Sequence, residues 1–449
     1  MEPHPTAHPL QRLDKTRLWH PFTPMRDWCA DDHQPLILTK GRGAWLEDFQ
    51  GNRYLDGNSS IWTNIHGHSH PHIVAAIQRQ AASLAHCSFL GSTNEPAIRL
   101  AVALVDRFPQ DTLTRVFYSD DGSTAIECAL RLALQFRQHT GAARRNRFLV
   151  FDQAYHGDTL GAACLGGLPL FHEPVRNLGY PLTRIASLDE LQSLPAEIRD
   201  SATAVVLEPL IQGAAGMRLW PPGMLGALRT WCDRHDVLLI LDEVLTGFGR
   251  TGTLFACQKE SVVPDLMALA KGLTGGTVPL AATLVTERIF SAFLGTGPEP
   301  LTFFYGHSYT GNPLGCAAAR ASLEIFEMEK TLERLPRLIQ CLETSLEDWR
   351  QRSSHISAVR QCGLIAGIDI TRDGSPNNPF PPEARMGAQI CLAARSHGLL
   401  TRPIGDTLIL MPPLCVTEPE IRAAVHALEE AAQEVSSNGS RLRRLGLTK

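Results

Sequence analysis

The sequence predicts an α/β fold, with a large unit built on a mostly parallel sheet and a small α+β unit beside it. Three observations carry this expectation. Short unbroken apolar runs, such as 203–207 (TAVVL) and 237–241 (VLLIL), alternate with helical patterns through the middle of the chain. Such runs mark strands buried on both faces, the habit of parallel sheets under helices. The two ends have another texture: short strands with glycine turns at 36–56, and mixed helices and strands after residue 350. Finally, 449 residues exceed one core, and ~150 residues per domain gives two or three units.

The elements follow in order. Residues 1–15 are rich in proline, lack periodicity and read as a mobile lead. Residues 36–56 read as short strands, with Gln50-Gly51-Asn52 as a hairpin turn. Helical spacing covers 72–86 and 94–107. Residues 115–119 form a strand, and 122–138 a helix with Ala125, Ala129, Leu132 and Ala133 on one stripe. Strands at 148–151, 203–207 and 237–241 follow, then a strand at 280–286, with a helix at 223–235. One long helix spans 314–350, broken near Pro336. The C-terminal part supplies strands at 362–370 and 407–410, helices at 384–396 and 417–435, and a solvated tail at 436–449. The expected division is a large domain at 66–325 and a small domain joining 16–65 to 326–435.

Composition excludes several functions. Apolar residues make up 44% and charged residues 20%, ordinary for a soluble globular protein. Lys plus Arg total 42 against 46 Asp plus Glu, a net charge of −4. No positive excess exists to neutralise phosphates, so nucleic acid is not the expected partner. The 11 cysteines include no C-x-x-C, which argues against a zinc knuckle or redox pair and fits a reducing cytosol. No stretch of ~20 apolar residues suits a bilayer, and no apolar h-region opens the chain. A soluble cytoplasmic protein without a membrane partner is expected.

Four segments hold residues suited to chemistry. The strand 238–242 ends in Asp242-Glu243. In open α/β sheets, ligands bind outside the carboxyl ends of strands. A carboxylate there holds a cation, a metal or a protonated ring nitrogen, or it merely caps a turn. Gly247, Gly249 and Gly252 match G-x-G-x-x-G, but two carboxylates precede them and would repel a pyrophosphate, which disfavours a dinucleotide site. In YSDDGS, Gly122-Ser123 open a helix whose bare amides suit an anion, the rival reading being an N-cap made by Asp121 or Ser123. Electrostatics requires one of Asp120 and Asp121 to point away from such an anion. Lys271, in MALAKGLTGG, has small neighbours and no adjacent acid. It is either a snorkelling surface residue or a desolvated amine fit for a Schiff base. His66, His68, His70 and His72 would share one face of a strand, but Pro71 and Gly67 break that ladder. They read as turn and wall residues, and no metal is expected.

Taken together, LEP (207–209), LDEVLTGFGRTG (241–252), Lys271 and YGHSYTGNPLGCAAA (305–319) resemble the class III aminotransferases, fold-type I enzymes that use pyridoxal 5'-phosphate. The resemblance runs from about residue 17 to 430. It implies that Lys271 carries the cofactor as a Schiff base, that Asp242 pairs with the pyridinium nitrogen, and that Tyr155 in AYHGDT stacks on the ring. It implies that Gly122 and Ser123 hold the phosphate and that Glu208 lies in the cofactor site. His307 and Ser308 would reach the phosphate from a neighbouring subunit, giving a homodimer with shared sites.

Within that family the chain is most similar to biotin-pathway members, on LWHPFTPM (18–25), DGNSSIWTNIHGHSHP (56–71) and LLTRPIGDTLILMPP (399–413). This implies transfer of an amino group from S-adenosyl-L-methionine or lysine to 8-amino-7-oxononanoate, giving 7,8-diaminononanoate. Arg402 sits where these members bind the acceptor carboxylate, a task suited to a guanidinium. Phe22, Ile61, Trp62, Tyr155, Asp158 and Gly306 would line the substrate pocket. Phe22 stands where the S-adenosylmethionine users have tyrosine, Ile61 replaces the first of their two tryptophans, and His307-Ser308 replaces their Pro-Thr. Such a pattern resembles members that use lysine. The rival expectation is another class III activity, on ω-amino acids or diamines.

Overall fold

The computed structural model describes residues 8–175, 178–295, 297–298 and 300–444, without the side chains after 437. At its centre is a seven-stranded sheet. Its order is Leu113–Ser119, Ala281–Thr286, Leu266–Leu269, Leu238–Asp242, Ala202–Leu207, Arg147–Phe151 and Leu182–Ile185. Every residue of Ala202–Leu207 and Leu238–Asp242 is buried, as their unbroken apolar runs require. Helix Gly122–His139 packs on the strands Leu266–Leu269 and Ala281–Thr286, with Ala125, Ala129, Leu132 and Ala133 buried.

The sheet is mostly parallel, with one exception. Ala281–Thr286 runs antiparallel to both of its neighbours. The short 270–280 connection holds no crossover helix, so the chain returns antiparallel. Two strands had no counterpart in the sequence reading: Leu182–Ile185 and Leu266–Leu269, each four residues long. Such runs are too short to show a period.

The chain ends meet. Strands Leu38–Arg42, Trp45–Asp48 and Arg53–Asp56 form an antiparallel meander, and Leu399–Leu400 joins it in parallel, with Leu399 opposite Leu55. Asp48 organises the Gln50-Gly51-Asn52 turn by accepting from the Gln50 and Asn52 amides. A second sheet pairs Ile356–Cys362 with Ile365–Ile370, then Thr407–Leu410 and Pro403–Ile404. The single strand expected at 362–370 is thus the second arm of a hairpin turning at Gly363, whose φ is 64°.

Three expectations change at helix ends. Pro9–Arg17 is a helix inside the stretch read as a mobile lead, capped by His8 and tied down by buried Gln11, whose Nε2 donates to Pro35 O; residues 1–7 lie outside the described residues. The helix expected at 314–350 is two helices, Pro313–Met328 and Thr331–Arg352, broken at left-handed Lys330 rather than at Pro336. Pro336 lies early in the second helix, where it removes one backbone bond. The last helix, Glu418–Arg444, runs through most of the expected tail, and 445–449 lie outside the described residues. Among the described residues, no helix is long and apolar enough to cross a membrane.

Candidate active site

Three adjacent parallel strands deliver three functional side chains to one edge of the sheet. Ala202–Leu207 is followed by Glu208, Leu238–Asp242 ends on Asp242, and Leu266–Leu269 leads to Lys271. The register pairs Leu207 with Leu241 and Asp242 with Ala268, so all three leave at the carboxyl ends, where α/β sheets bind ligands.

Asp242 is buried and held from two sides. Its Oδ2 lies 2.7 Å from Nδ1 of His156, and its Oδ1 accepts the Val244 amide at 3.1 Å. The His156 ring is itself buried, and its Nε2 has no partner among the described residues. Glu208 accepts the Tyr155 and Gly213 amides at 3.2 and 3.0 Å. Burial pushes its carboxyl up to about 7; His156 and the two amides oppose the rise, and Asp242 adds to it.

Lys271 opens a short 3-10 turn with φ 45°. Burial pushes its amine down; Asp242 and Glu208 work against this, and Arg250 adds to it. Its Nζ lies 5.0 Å from the centroid of the Trp62 ring, whose Nε1 donates to Asn58 Oδ1. Burial favours the neutral, nucleophilic form of a lysine, while the Trp62 face receives the ammonium when it is protonated; the buried position removes the snorkelling alternative.

The 155–159 turn lies against the start of helix Gly122–His139. Ser123 Oγ accepts the Asp158 amide at 3.0 Å, and Asp158 Oδ2 accepts the Tyr155 hydroxyl at 2.8 Å. Burial first, then Asp158, pushes the Tyr155 phenol above its ordinary range. A side chain on Gly122 would come 2.7 Å from Val244 Cγ1, so only glycine lets the helix start approach the Asp242 strand end. Asp121 caps this helix in a reciprocal box with Thr124, as the N-cap reading had it. Among the described residues, nothing accepts from the Gly122 and Ser123 amides. Asp120 is drawn aside, its Oδ2 2.9 Å from His307 Nδ1 of the same chain.

The remaining candidates lie further out. Phe22 is 60% exposed and meets Phe171 edge to face at 5.7 Å; Phe171 meets Tyr155 in the same way at 6.1 Å. Ile61, Gly306, Ser308 and Arg402 are exposed. Arg402 follows Leu400, whose carbonyl accepts the Gly57 amide at the root of the turn that carries Ile61 and Trp62. Its guanidinium has no partner among the described residues. The four histidines do not share a strand face: His66 bonds Ser322, His68 bonds Asp56, and His70 and His72 meet Glu329 and Glu324.

Sequence reasoning missed His156 and Phe171. His156 stands beside Tyr155 in AYHGDT, but its bond to Asp242 joins segments 86 residues apart and leaves no local pattern.

The surroundings match known proteins. The family model for class-III aminotransferases matches residues 29–432. The adenosylmethionine-8-amino-7-oxononanoate aminotransferase of Nitratidesulfovibrio vulgaris is 47% identical, over 96% of this chain and 83% of that protein. The protein of the same name from Geobacter sulfurreducens is 43% identical, over 95% and 98%. The crystal structure of the one from Methanocaldococcus jannaschii superposes with a TM-score of 0.91 at 40% identity, over 95% of this chain and 98% of that one. An amine transaminase from an uncultivated Pseudomonas species, solved in a PLP-bound form, gives 0.87 at 33% identity, over 93% and 99%. The chain belongs to the class-III aminotransferases.

Proposed function

We propose that the chain transfers an amino group from S-adenosyl-L-methionine or lysine to 8-amino-7-oxononanoate, giving 7,8-diaminononanoate for biotin synthesis, with pyridoxal 5'-phosphate as cofactor. The observation that carries this reading is the meeting of Lys271, Asp242 and Glu208 at three neighbouring strand ends, beside unpartnered helix-start amides. The relatives' names point the same way.

The residues fit the cofactor. Lys271 offers a desolvated amine, Asp242 a buried carboxylate for a ring nitrogen, and Gly122 and Ser123 free amides for a phosphate. Tyr155 supplies an aromatic face, and Glu208 flanks it through the Tyr155 amide. When bound, pyridoxal phosphate supplies an electron sink for the substrate carbon. Asp242, fixed by His156, keeps a proton on the ring nitrogen that makes this sink effective. Lys271 Nζ takes the proton from the donor Cα and delivers one in the acceptor half, acting as base and then acid. The two halves give ping-pong kinetics.

Arg402 binds the acceptor carboxylate, and Phe22, Ile61, Trp62, Asp158 and Gly306 line the pocket. His307 and Ser308 complete the phosphate site of a neighbouring subunit in a homodimer. The exposed Phe304 and Tyr309 beside them, 83% and 60% accessible, support a covered surface there. The cofactor domain spans 66–325, and the small domain joins 16–65 to 326–435.

A single-turnover experiment tests the reading. Holoenzyme is mixed with S-adenosylmethionine and, separately, with lysine. One of the two should bleach the visible band, and 8-amino-7-oxononanoate should restore it. A band that neither amine bleaches sinks the assignment. Bleaching by ω-amino acids or diamines, with no recovery by the oxo acid, favours the rival activity.

A further inference from the structure

Arg250 is fully buried, and among the described residues no carboxylate makes a direct ion pair with its guanidinium, buried Asp56 supporting the charge only at longer range. A buried charge without a paired counter-ion is costly, so its contacts need a reason. Nη1 donates to Pro412 O at 2.6 Å and Nη2 to Asn64 O at 2.5 Å, joining segments from opposite ends of the chain. The Arg250 carbonyl accepts the Leu364 amide at the hairpin turn, so a third segment is tied to the same residue.

Asn64 lies at the edge of the active site. The stretch that leads into it is strained: Ser59, Ser60 and Trp62 all have positive φ, at 47°, 64° and 65°. Such non-glycine conformations are costly and persist only where the surrounding structure imposes them. The strained turn lays Trp62 over Lys271. Just beyond it, the chain is wedged against the turn that follows Lys271. A side chain on Gly276 would come 2.5 Å from Thr63 C, and one on Gly272 2.9 Å from Ile65 Cγ1. On the other side, the Leu414 amide donates to Ile65 O at 2.8 Å. Arg250 grips both strips of this sandwich at one point.

We infer that Arg250 is a positioning residue for the active site: by holding the Asn64 and Pro412 carbonyls together, it fixes the strained turn that sets Trp62 against Lys271. Two carbonyls at a fixed spacing suit a planar fork of donors, which lysine lacks. The same charge adds, after burial, to the lowering of the Lys271 amine pKa.

The inference rests on the aminotransferase reading, and the experiment separates the two. Holoenzymes of wild type, Arg250→Lys, Trp62→Phe and the double variant are compared in acceptor kinetics. Arg250→Lys should raise KM for the oxo acid about tenfold with kcat changed by less than about threefold. In the Trp62→Phe background, the same change should add less than about threefold, because the effect passes through Trp62. An equal penalty in both backgrounds, or none in either, overturns the inference. Should Arg250→Lys fail to fold, Pro412→Gly loosens one gripped carbonyl without removing a charge; the same Trp62-dependent KM defect is expected, and an unchanged KM overturns the role. A crystal structure of the folded variant decides independently of turnover. Trp62 displaced from Lys271 supports positioning, and Trp62 unmoved rejects it even if the substrate assignment is wrong.

Discussion

His156 Nδ1 and Asp242 Oδ2 share a hydrogen bond of 2.7 Å between two buried side chains. The bond fixes the carboxylate's rotation and leaves the imidazole Nε2 without a partner. A hydrogen bond to a charged group contributes about 1.5–3 kcal/mol. His156→Phe should therefore lower kcat/KM roughly tenfold to a hundredfold. His156→Asn retains an N–H donor and should recover part of that loss. Steady-state kinetics and the pH dependence of the cofactor absorbance check both variants. Equal activity of His156→Phe and wild type would assign the pair to packing alone.

Lys271→Ala should abolish turnover and the visible absorbance of the Schiff base together. With the phosphate held by the Gly122 and Ser123 amides as proposed, equilibrium dialysis should still detect weakened cofactor binding. A retained band in this variant would mean that another amine carries the cofactor.

Glu208 gives a pH signature. Its carboxyl is pushed from an ordinary 4.5 up to about 7 by burial. Between those values the folded protein holds a proton that the unfolded chain has released, so stability falls as pH rises through that window. Glu208→Gln escapes this loss. In cofactor-free protein, denaturant unfolding should show the variant gaining on wild type from about pH 4 to pH 8, by on the order of 3 kcal/mol. A difference that does not change with pH would show that the carboxylate ionises without penalty.

Much of this was legible in the residues, for definable reasons. Buried parallel strands need unbroken apolar runs, so 203–207 and 237–241 stood out, and Asp242 was visible as the polar residue that ends one. Lys271 was conspicuous for its small neighbours. What stayed hidden depends on distant partners. The first arm of the hairpin, Ile356–Cys362, carries Arg360 and Gln361 and has no unbroken apolar run, so only its partner was read as a strand. The break at Lys330 carries no glycine or proline to announce it. The pairing of Arg250 with Asn64 and Pro412 joins parts of the chain that only the fold brings together.

The proposed role of Arg402 is tested by separating the two halves of the reaction. Its guanidinium is exposed and free of ion pairs among the described residues, so it is available to a carboxylate. Arg402→Ala should weaken the acceptor half-reaction about tenfold to a hundredfold and leave the donor half within about threefold. Arg402→Lys keeps the charge but loses the bidentate fork, and should recover only part of the loss. Stopped-flow measurement of each half reads this directly; equal losses in both would reject the role of acceptor clamp.

Gly157 tests whether the 155–159 turn must sit against the helix start. Its φ is 119°, a conformation open to glycine, and an added Cβ would overlap Ser123 Oγ. That oxygen accepts the Asp158 amide, and Asp158 in turn holds the Tyr155 hydroxyl. Gly157→Ala should therefore push the turn, with Tyr155, away from Gly122 and Ser123. Strain of this kind costs about 1–3 kcal/mol, and if it falls on the bound state the cofactor Kd rises roughly fivefold to a hundredfold. Gly141→Ala is the control: its φ is 75° and nothing lies within 4 Å of the added carbon. The control should lose thermal stability from backbone strain while binding cofactor as wild type does. Cofactor titration of both variants decides the matter, because a Kd raised equally in each would trace the effect to general destabilisation rather than to the contact with Ser123.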